Sequence, residues 1–130
     1  MQLCEELIHR IEQDQSLSYP GYVQNLKEIG VAFYEVRINN RSRKFTSKSG
    51  QELLLTTGLP DVICAEEFNP ESLRSALIRT QTGQTVYSAF INELAAAGVH
   101  SYLADLEAMK ITYRGVKSSD LYTEVIPDVA

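Results

Sequence analysis

Cysteine, histidine and tryptophan are scarce in this sequence. Its 130 residues include two cysteines, two histidines and no tryptophan. Cys4 and Cys64 lie far apart, and neither belongs to a CxxC pair. A zinc site needs clustered thiolate, imidazole or carboxylate ligands. A chain of this length can also bury about two-thirds of its unfolded surface without a disulfide or a metal. We therefore expect no metal and no cofactor, and we expect both cysteines to be buried free thiols.

Long apolar runs are also missing. No stretch approaches the roughly 20 apolar residues that span a bilayer. The first residues, MQLCEELIHRIEQ, carry acids where a secretory signal would be apolar. We expect a cytoplasmic protein that does not enter a membrane. The length and the apolar fraction of 44% are typical of one globular domain, residues 1–130.

Basic residues are outnumbered, since the net charge is −5, and this argues against general nucleic-acid binding. Five of the twelve basic residues nevertheless lie between Val36 and Gln51 with no acid among them: Arg37, Arg41, Arg43, Lys44 and Lys48. The first four are the predicted partner- or anion-binding site. Such a hairpin can hold a phosphate or nucleic-acid backbone, can meet the acidic surface of a second copy, or can protect an exposed strand from aggregation. Nucleic acid is disfavoured because few aromatic residues are interleaved with the charges.

Hydrophobic periodicity predicts four helices. They cover residues 2–15, 19–29, 70–82 and 86–97. Ser18, Asn69 and Thr85 are the expected N-caps of the last three. Gly30 and Gly98 end the second and fourth helices, because a helix commonly stops at a glycine with left-handed backbone.

Period-two alternation predicts the strands. After Gly30, the side chains of Tyr34, Val36 and Ile38 fall on one side of a strand. The segments RKFTS and ELLLTT complete a meander, and a further short strand is expected over Val62–Ala65. A strand through Tyr102 and the segments MKITYRG and LYTEVIP give a second meander.

The two halves of the chain resemble each other. A shift of 68 positions places Leu26 on Leu94, Gly30 on Gly98, Val31 on Val99 and Tyr34 on Tyr102. Each half, about 16–55 and 84–127, then consists of two helices and a three-stranded antiparallel meander. We expect an α+β fold in which the two pseudo-repeated units pack as one domain. Convergence is the alternative to duplication, because helix–glycine–strand junctions are common.

Most of the chain also resembles a known family. The similarity rests on Phe90, Ala97-Gly98-Val99, Tyr102, Asp105-Leu106, Thr112-Tyr113 and Ile126-Pro127, and on YPGYVQNLKEIGVAFYEV in the first half. These elements resemble the YbcV-like family of small bacterial and prophage proteins, sometimes labelled "phage envelope protein". Its members often carry tryptophan where this chain has Tyr102. The resemblance implies an α+β fold and unknown function, and it brings no catalytic residues.

Reactive constellations are absent from the sequence. It contains no Ser-His-Asp ordering, no glycine-rich phosphate loop and no HExxH. Cys64 precedes Glu66 and Glu67, and neighbouring acids raise the pKa of a thiol and make it a poorer nucleophile. His100 would need an acid partner to act as a general base. We therefore expect no catalytic residues, and the enzyme hypothesis is disfavoured.

Three functional hypotheses remain. The leading one is a non-enzymatic binding or interaction module that forms a homodimer. The alternative is a small-molecule-binding protein or enzyme with a tyrosine-lined pocket between the two halves, for which Tyr34, Tyr102 and His100 are the predicted ligand-binding residues. The third is nucleic-acid contact through the basic hairpin, residues 37–48.

Overall fold

A computed structural model describes residues 4–14, 19–81 and 87–126. In chain order these residues form α1 (Glu5–Gln13), α2 (Tyr19–Glu28), β1 (Val31–Arg37), β2 (Arg43–Ser47), β3 (Glu52–Leu55), α3 (Pro70–Gln81), α4 (Tyr87–Ala96), β4 (Ser101–Asp105), β5 (Lys110–Arg114) and β6 (Leu121–Val125). The order helix, helix, strand, strand, strand occurs twice. The α+β class predicted from the sequence is confirmed.

The six strands form one antiparallel sheet in the order β3-β2-β1-β4-β5-β6. Each meander supplies one half of the sheet, and β1 pairs with β4 at the centre. The register of this central pair places Glu35 opposite Leu103. On either side of it, the Ile38 N–H donates to the His100 carbonyl at 3.0 Å, and the Leu106 N–H donates to the Ala32 carbonyl at 2.9 Å.

One face of the sheet is buried and the other is open. The alternation predicted for β1 is observed, because Tyr34, Val36 and Ile38 are at most 2% exposed while Phe33 is 40% exposed. The buried side chains of the strands and of all four helices form a single hydrophobic core. The fold therefore has two layers, with the helices on one side of the sheet only.

The local start and stop signals agree with the structure where it describes them. The Asn69 side-chain oxygen accepts hydrogen bonds from the N–H groups of Glu71 and Ser72, both at 3.1 Å, so Asn69 caps α3 as predicted. Gly30 and Gly98 have φ angles of +94° and +83° and end α2 and α4. The other predicted N-caps, Ser18 and Thr85, lie outside the described residues.

The strand predicted over Val62–Ala65 is wrong. These residues belong to an irregular crossing segment, residues 56–69, which connects the two halves. Near its start, the Val62 N–H donates to the Asn39 carbonyl just after β1 (2.6 Å). Further along, the N–H groups of Ala65 and Asn69 donate to carbonyls at the end of α4, those of Ala95 (2.9 Å) and Ala97 (2.8 Å). The segment therefore runs past the ends of the sheet and of α4 instead of joining a ladder. Within the described part of the chain, no helix is both long and apolar enough to cross a membrane.

Candidate functional site

A partly open cavity of about 400 Å³ lies at the end of the two central strands. It is lined by Glu35, Arg37, Asn39, Cys64, His100 and Ser101. We call it the strand-end cavity. Apart from Cys64, all of its lining residues have polar or charged side chains. The cavity is therefore suited to a polar molecule.

Three parts of the chain form this cavity. β1 contributes Glu35 and Arg37 from its open face, and Arg37 lies opposite Ser101 in the register of β1 and β4. Because the strands are antiparallel, the last residues of β1 meet the first residues of β4. The crossing segment completes the wall with Cys64 and is held there by the hydrogen bond between Val62 and Asn39.

The His100 ring is held in a defined orientation. Its Nε2 lies 3.0 Å from the Ala65 carbonyl oxygen. A carbonyl oxygen can only accept, so Nε2 carries the proton, and in the neutral ring Nδ1 is an acceptor. The backbone is fixed on both sides as well, since the His100 N–H donates to the Arg114 carbonyl at 2.7 Å and the Ile38 N–H donates to the His100 carbonyl. The site thus has a pre-positioned imidazole.

Arg37 and Glu35 are the charged groups of the cavity. Arg37 is exposed and Glu35 is half-buried. The ion pairs formed by the described residues include neither of them. Their separation by two positions on one strand puts both on the same face. The cavity therefore offers a guanidinium and a carboxylate that form no ion pair with the described residues.

The prediction that both cysteines are buried is wrong for Cys4, which is exposed on the N-terminal side of α1. Cys64 is half-buried, and burial raises the pKa of its thiol. The direction agrees with the sequence argument, but the main cause is desolvation and not the neighbouring acids. A raised pKa keeps the sulfur as the neutral thiol at pH 7, which is a poor nucleophile. The described residues contain no group of three or more His, Cys, Asp or Glu that could hold a metal ion.

The predicted tyrosine site is divided by the sheet. His100 lines the strand-end cavity, but Tyr34 and Tyr102 are 2% and 6% exposed and belong to the core on the helix side. Their rings meet edge to face with centroids 6.4 Å apart. The Tyr34 hydroxyl lies 2.5 Å from that of Tyr19. Both tyrosines thus act as packing groups.

Burial also affects the ionisation of this tyrosine cluster. The pKa of Tyr34 is raised well above its ordinary value, chiefly by desolvation and then by the neighbouring phenols. The pKa of Tyr113 is raised by burial and by the Glu124 carboxylate. The Tyr113 hydroxyl donates to Glu124 Oε1 at 3.1 Å. These phenols therefore remain neutral donors at physiological pH.

The basic hairpin does not form one positive surface. Arg43 makes an ion pair with Glu12 of α1, on the helix side of the sheet. Lys44 pairs with Glu52 of β3 at 3.0 Å. Arg41 donates from Nη2 to the Pro60 carbonyl at 2.6 Å and so anchors the crossing segment. Of the four predicted residues, only Arg37 lines the cavity.

Three residues of the site were missed by sequence reasoning: Glu35, Asn39 and Ser101. Their spacing of two positions already puts Glu35 and Asn39 on the same side as Arg37, but the pairing of β1 with β4 is what brings that side next to His100 and Ser101. The sequence contained one signal for this strand pairing: Glu35 and Leu103 are related by the shift of 68 positions that aligns the two halves. A twofold arrangement of the halves would place that pair at the centre of the sheet.

The fold and the cavity together define a class of protein: a small two-layer α+β protein with an open polar cavity at the ends of its central strands. Residues 6–125 match the family described as "Protein of unknown function (DUF1398)". The chain belongs to this family. No curated protein matches the sequence.

Proposed function

We propose that this protein is a non-enzymatic binding module that holds a small anionic molecule in the strand-end cavity. The observation that carries the proposal is the Arg37 guanidinium, which lines the cavity beside His100 and Ser101 and has no ion pair among the described residues. The volume of about 400 Å³ falls in the lower part of the range for small-molecule sites.

The type of ligand follows from the lining groups. A guanidinium binds carboxylate and phosphate through two parallel hydrogen bonds. Ser101 and Asn39 offer neutral donors and acceptors, and Glu35 offers an acceptor for a hydroxyl or amine. These groups fit a compound that carries a carboxylate or phosphate at one end and a hydroxyl or amine at the other.

Binding without reaction is favoured by the state of the two reactive side chains. A catalytic cysteine needs an accessible thiolate, and burial favours the neutral thiol at Cys64. The His100 Nε2–H donates to the Ala65 carbonyl and not to a carboxylate. No negative charge therefore stabilises a protonated ring through that nitrogen, as the aspartate of a catalytic triad would. The remaining polar groups serve recognition.

A thermal-shift screen tests this proposal. The probes are inorganic phosphate, short dicarboxylates, amino acids and sugar phosphates. At about 100 times its dissociation constant, a ligand should raise the free energy of unfolding by about 2.7 kcal/mol. The Arg37→Ala variant should lose the shift. Arg74→Ala removes the same charge from an exposed position on α3 and should keep it. A flat screen, or a shift that survives in Arg37→Ala, would contradict the proposal.

We propose further that the two halves are an internal repeat related by a pseudo-twofold axis. The central pair Glu35–Leu103 and the reciprocal bonds of Ile38 with His100 and of Leu106 with Ala32 obey the 68-position shift. The same shift relates the two non-glycine residues with positive φ, Arg41 and Met109, both at 56°. Agreement in backbone geometry at hairpin turns supports common origin over convergence.

The repeat also supports the location of the site. The counterparts of Arg37 and Glu35 are Asp105 and Leu103, and the counterparts of His100 and Ser101 are Ala32 and Phe33. The opposite end of the central strands therefore lacks these groups, although its backbone is equivalent. The opposite end instead carries the acids Asp105 and Glu107, so only one end of the scaffold offers a guanidinium and an imidazole to an anion. The narrower YbcV-like and prophage kinship and the cytoplasmic location remain predictions from the sequence.

A further inference from the structure

We propose that β6 is an interface strand, which pairs antiparallel with β6 of a second copy of this chain. The two six-stranded sheets would then join into one. This inference concerns the edge of the sheet and is independent of the function proposed for the strand-end cavity. It gives a specific surface to the homodimer expected from the sequence.

The first observation is the position of β6. It is an edge strand, because the described strands pair with it on the β5 side only. Leu121 and Val125 point to the open face of the sheet and are 53% and 70% exposed. Large apolar side chains at an unpaired edge favour association with another strand.

The second observation is the direction of the backbone groups. The Ile126 N–H donates to the Met109 carbonyl at 2.8 Å, and the Asp120 carbonyl accepts from the Gly115 N–H at 2.9 Å. The even-numbered residues of β6 and its flanks therefore bond towards β5. In an antiparallel ladder the direction alternates along the strand. The backbone groups of Leu121, Thr123 and Val125 therefore point away from the sheet. The Leu121 N–H already donates to the Ser119 carbonyl, so among the described residues the outward N–H groups that remain for a partner are those of Thr123 and Val125.

The third observation is the composition of the outward-facing positions in the described part of this edge. Edge strands usually carry charged residues, lysine above all, or proline. The opposite edge, β3, has Glu52 on the open face, paired with Lys44. In β6, the three residues whose backbone points outward are leucine, threonine and valine.

The fourth observation identifies the occupant, because the strand is complementary to itself. A twofold axis through Thr123 places Leu121 opposite Val125 of the partner subunit, and this apolar pair occurs twice. On the other face it places Tyr122 opposite Glu124 of the partner subunit, so that a phenol meets a carboxylate. A register centred one residue later would set the two Glu124 carboxylates directly opposite each other, which is destabilising. A twofold pairing is also closed and stops at two copies.

The mass of the full chain in solution is the test. At micromolar concentrations we expect light scattering after size exclusion to give twice the 14.6 kDa mass of one chain. Val125→Lys should give the mass of one chain, because it puts a charge beside the apolar pair. The matched control, Leu54→Lys on β3, changes a side chain that is 62% exposed at the opposite edge and should leave the dimer intact.

A cross-link identifies the register independently of the lysine variants. In a hydrogen-bonded antiparallel pair the two Cα atoms are about 5.5 Å apart, a distance that a disulfide can bridge. In a Cys4→Ser background, Thr123→Cys should therefore form a covalent dimer on oxidation, and Leu54→Cys should not. A chain that is monomeric at all concentrations overturns the proposal. So does a dimer that persists in Val125→Lys, or an open-ended aggregate in place of a dimer.

Discussion

At the scale of single residues, two glycines with equal backbone roles differ in their surroundings. Gly30 and Gly98 both have positive φ. A Cβ at Gly98 would lie 2.2 Å from the Glu67 carbonyl oxygen and 2.8 Å from the Phe68 Cα, whereas a Cβ at Gly30 would meet nothing within 4 Å. Gly98 is therefore required by the close approach of the crossing segment as well as by its backbone angle.

We predict that alanine is much less tolerated at Gly98 than at Gly30. Gly30→Ala should cost about 1 kcal/mol for the left-handed backbone alone. Gly98→Ala must in addition displace the backbone of the crossing segment, and we expect a loss above about 3 kcal/mol. Urea unfolding of the two variants measures both values. Equal losses would show that the crossing segment moves away at little cost, contrary to the packing described above.

The buried tyrosines predict a loss of stability at alkaline pH. The pKa values of Tyr34 and Tyr113 are raised in the folded protein. Below pH 10 both phenols are neutral in the folded and the unfolded chain, so pH has no effect through them. Above about pH 10 the unfolded phenols release their protons while the folded ones do not. The free energy of unfolding should then fall by up to about 1.4 kcal/mol per pH unit for each phenol.

Urea unfolding at about pH 9 and about pH 11 tests this prediction. Tyr113→Phe removes one of the two phenols, so its unfolding free energy should fall less steeply with pH, by up to about 1.4 kcal/mol per pH unit. Its stability at neutral pH also changes, because the bond to Glu124 is lost. A slope identical in the wild-type chain and the variant would show that Tyr113 ionises in the folded state.

At the scale of elements, the sequence predicts what depends on local geometry. The cap at Asn69 and the turn at Gly98 involve residues close in sequence. The alternation of Tyr34, Val36 and Ile38 follows from the geometry of a strand with one buried face. Such features need no knowledge of the rest of the fold.

The failures at this scale share a nonlocal cause. The run from Val62 to Ala65 is apolar and bounded by turn residues, like a strand, but its N–H groups find carbonyls in distant parts of the chain. The basic hairpin fails as a single surface because Arg43 and Lys44 point to opposite faces, and their acidic partners come from α1 and β3. Alternation alone separates the two side chains, but the partners follow only from the tertiary fold.

At the scale of the whole molecule, the two halves depend on each other. β1 and β4 are paired side by side, so neither meander has a free edge at the centre of the sheet. One core contains buried residues from both halves. A three-stranded meander with its own pair of helices would lose both the central pairing and part of that core. We therefore expect residues 1–130 to unfold as one domain.

Two leucines, one in α2 and one in α4, test that expectation. Leu26 and Leu94 are both fully buried in the common core. Replacement of either by alanine should cost about 2–5 kcal/mol through lost burial and the cavity that remains. If the domain is one cooperative unit, each variant must lower the protection of the slowest-exchanging amides in both meanders by the same amount. Hydrogen exchange of β2 and β5 amides measures this directly. A Leu26→Ala variant that exposes β2 but leaves β5 protected would mean that each half has its own stability, and that the central β1–β4 pairing joins two separate folding units.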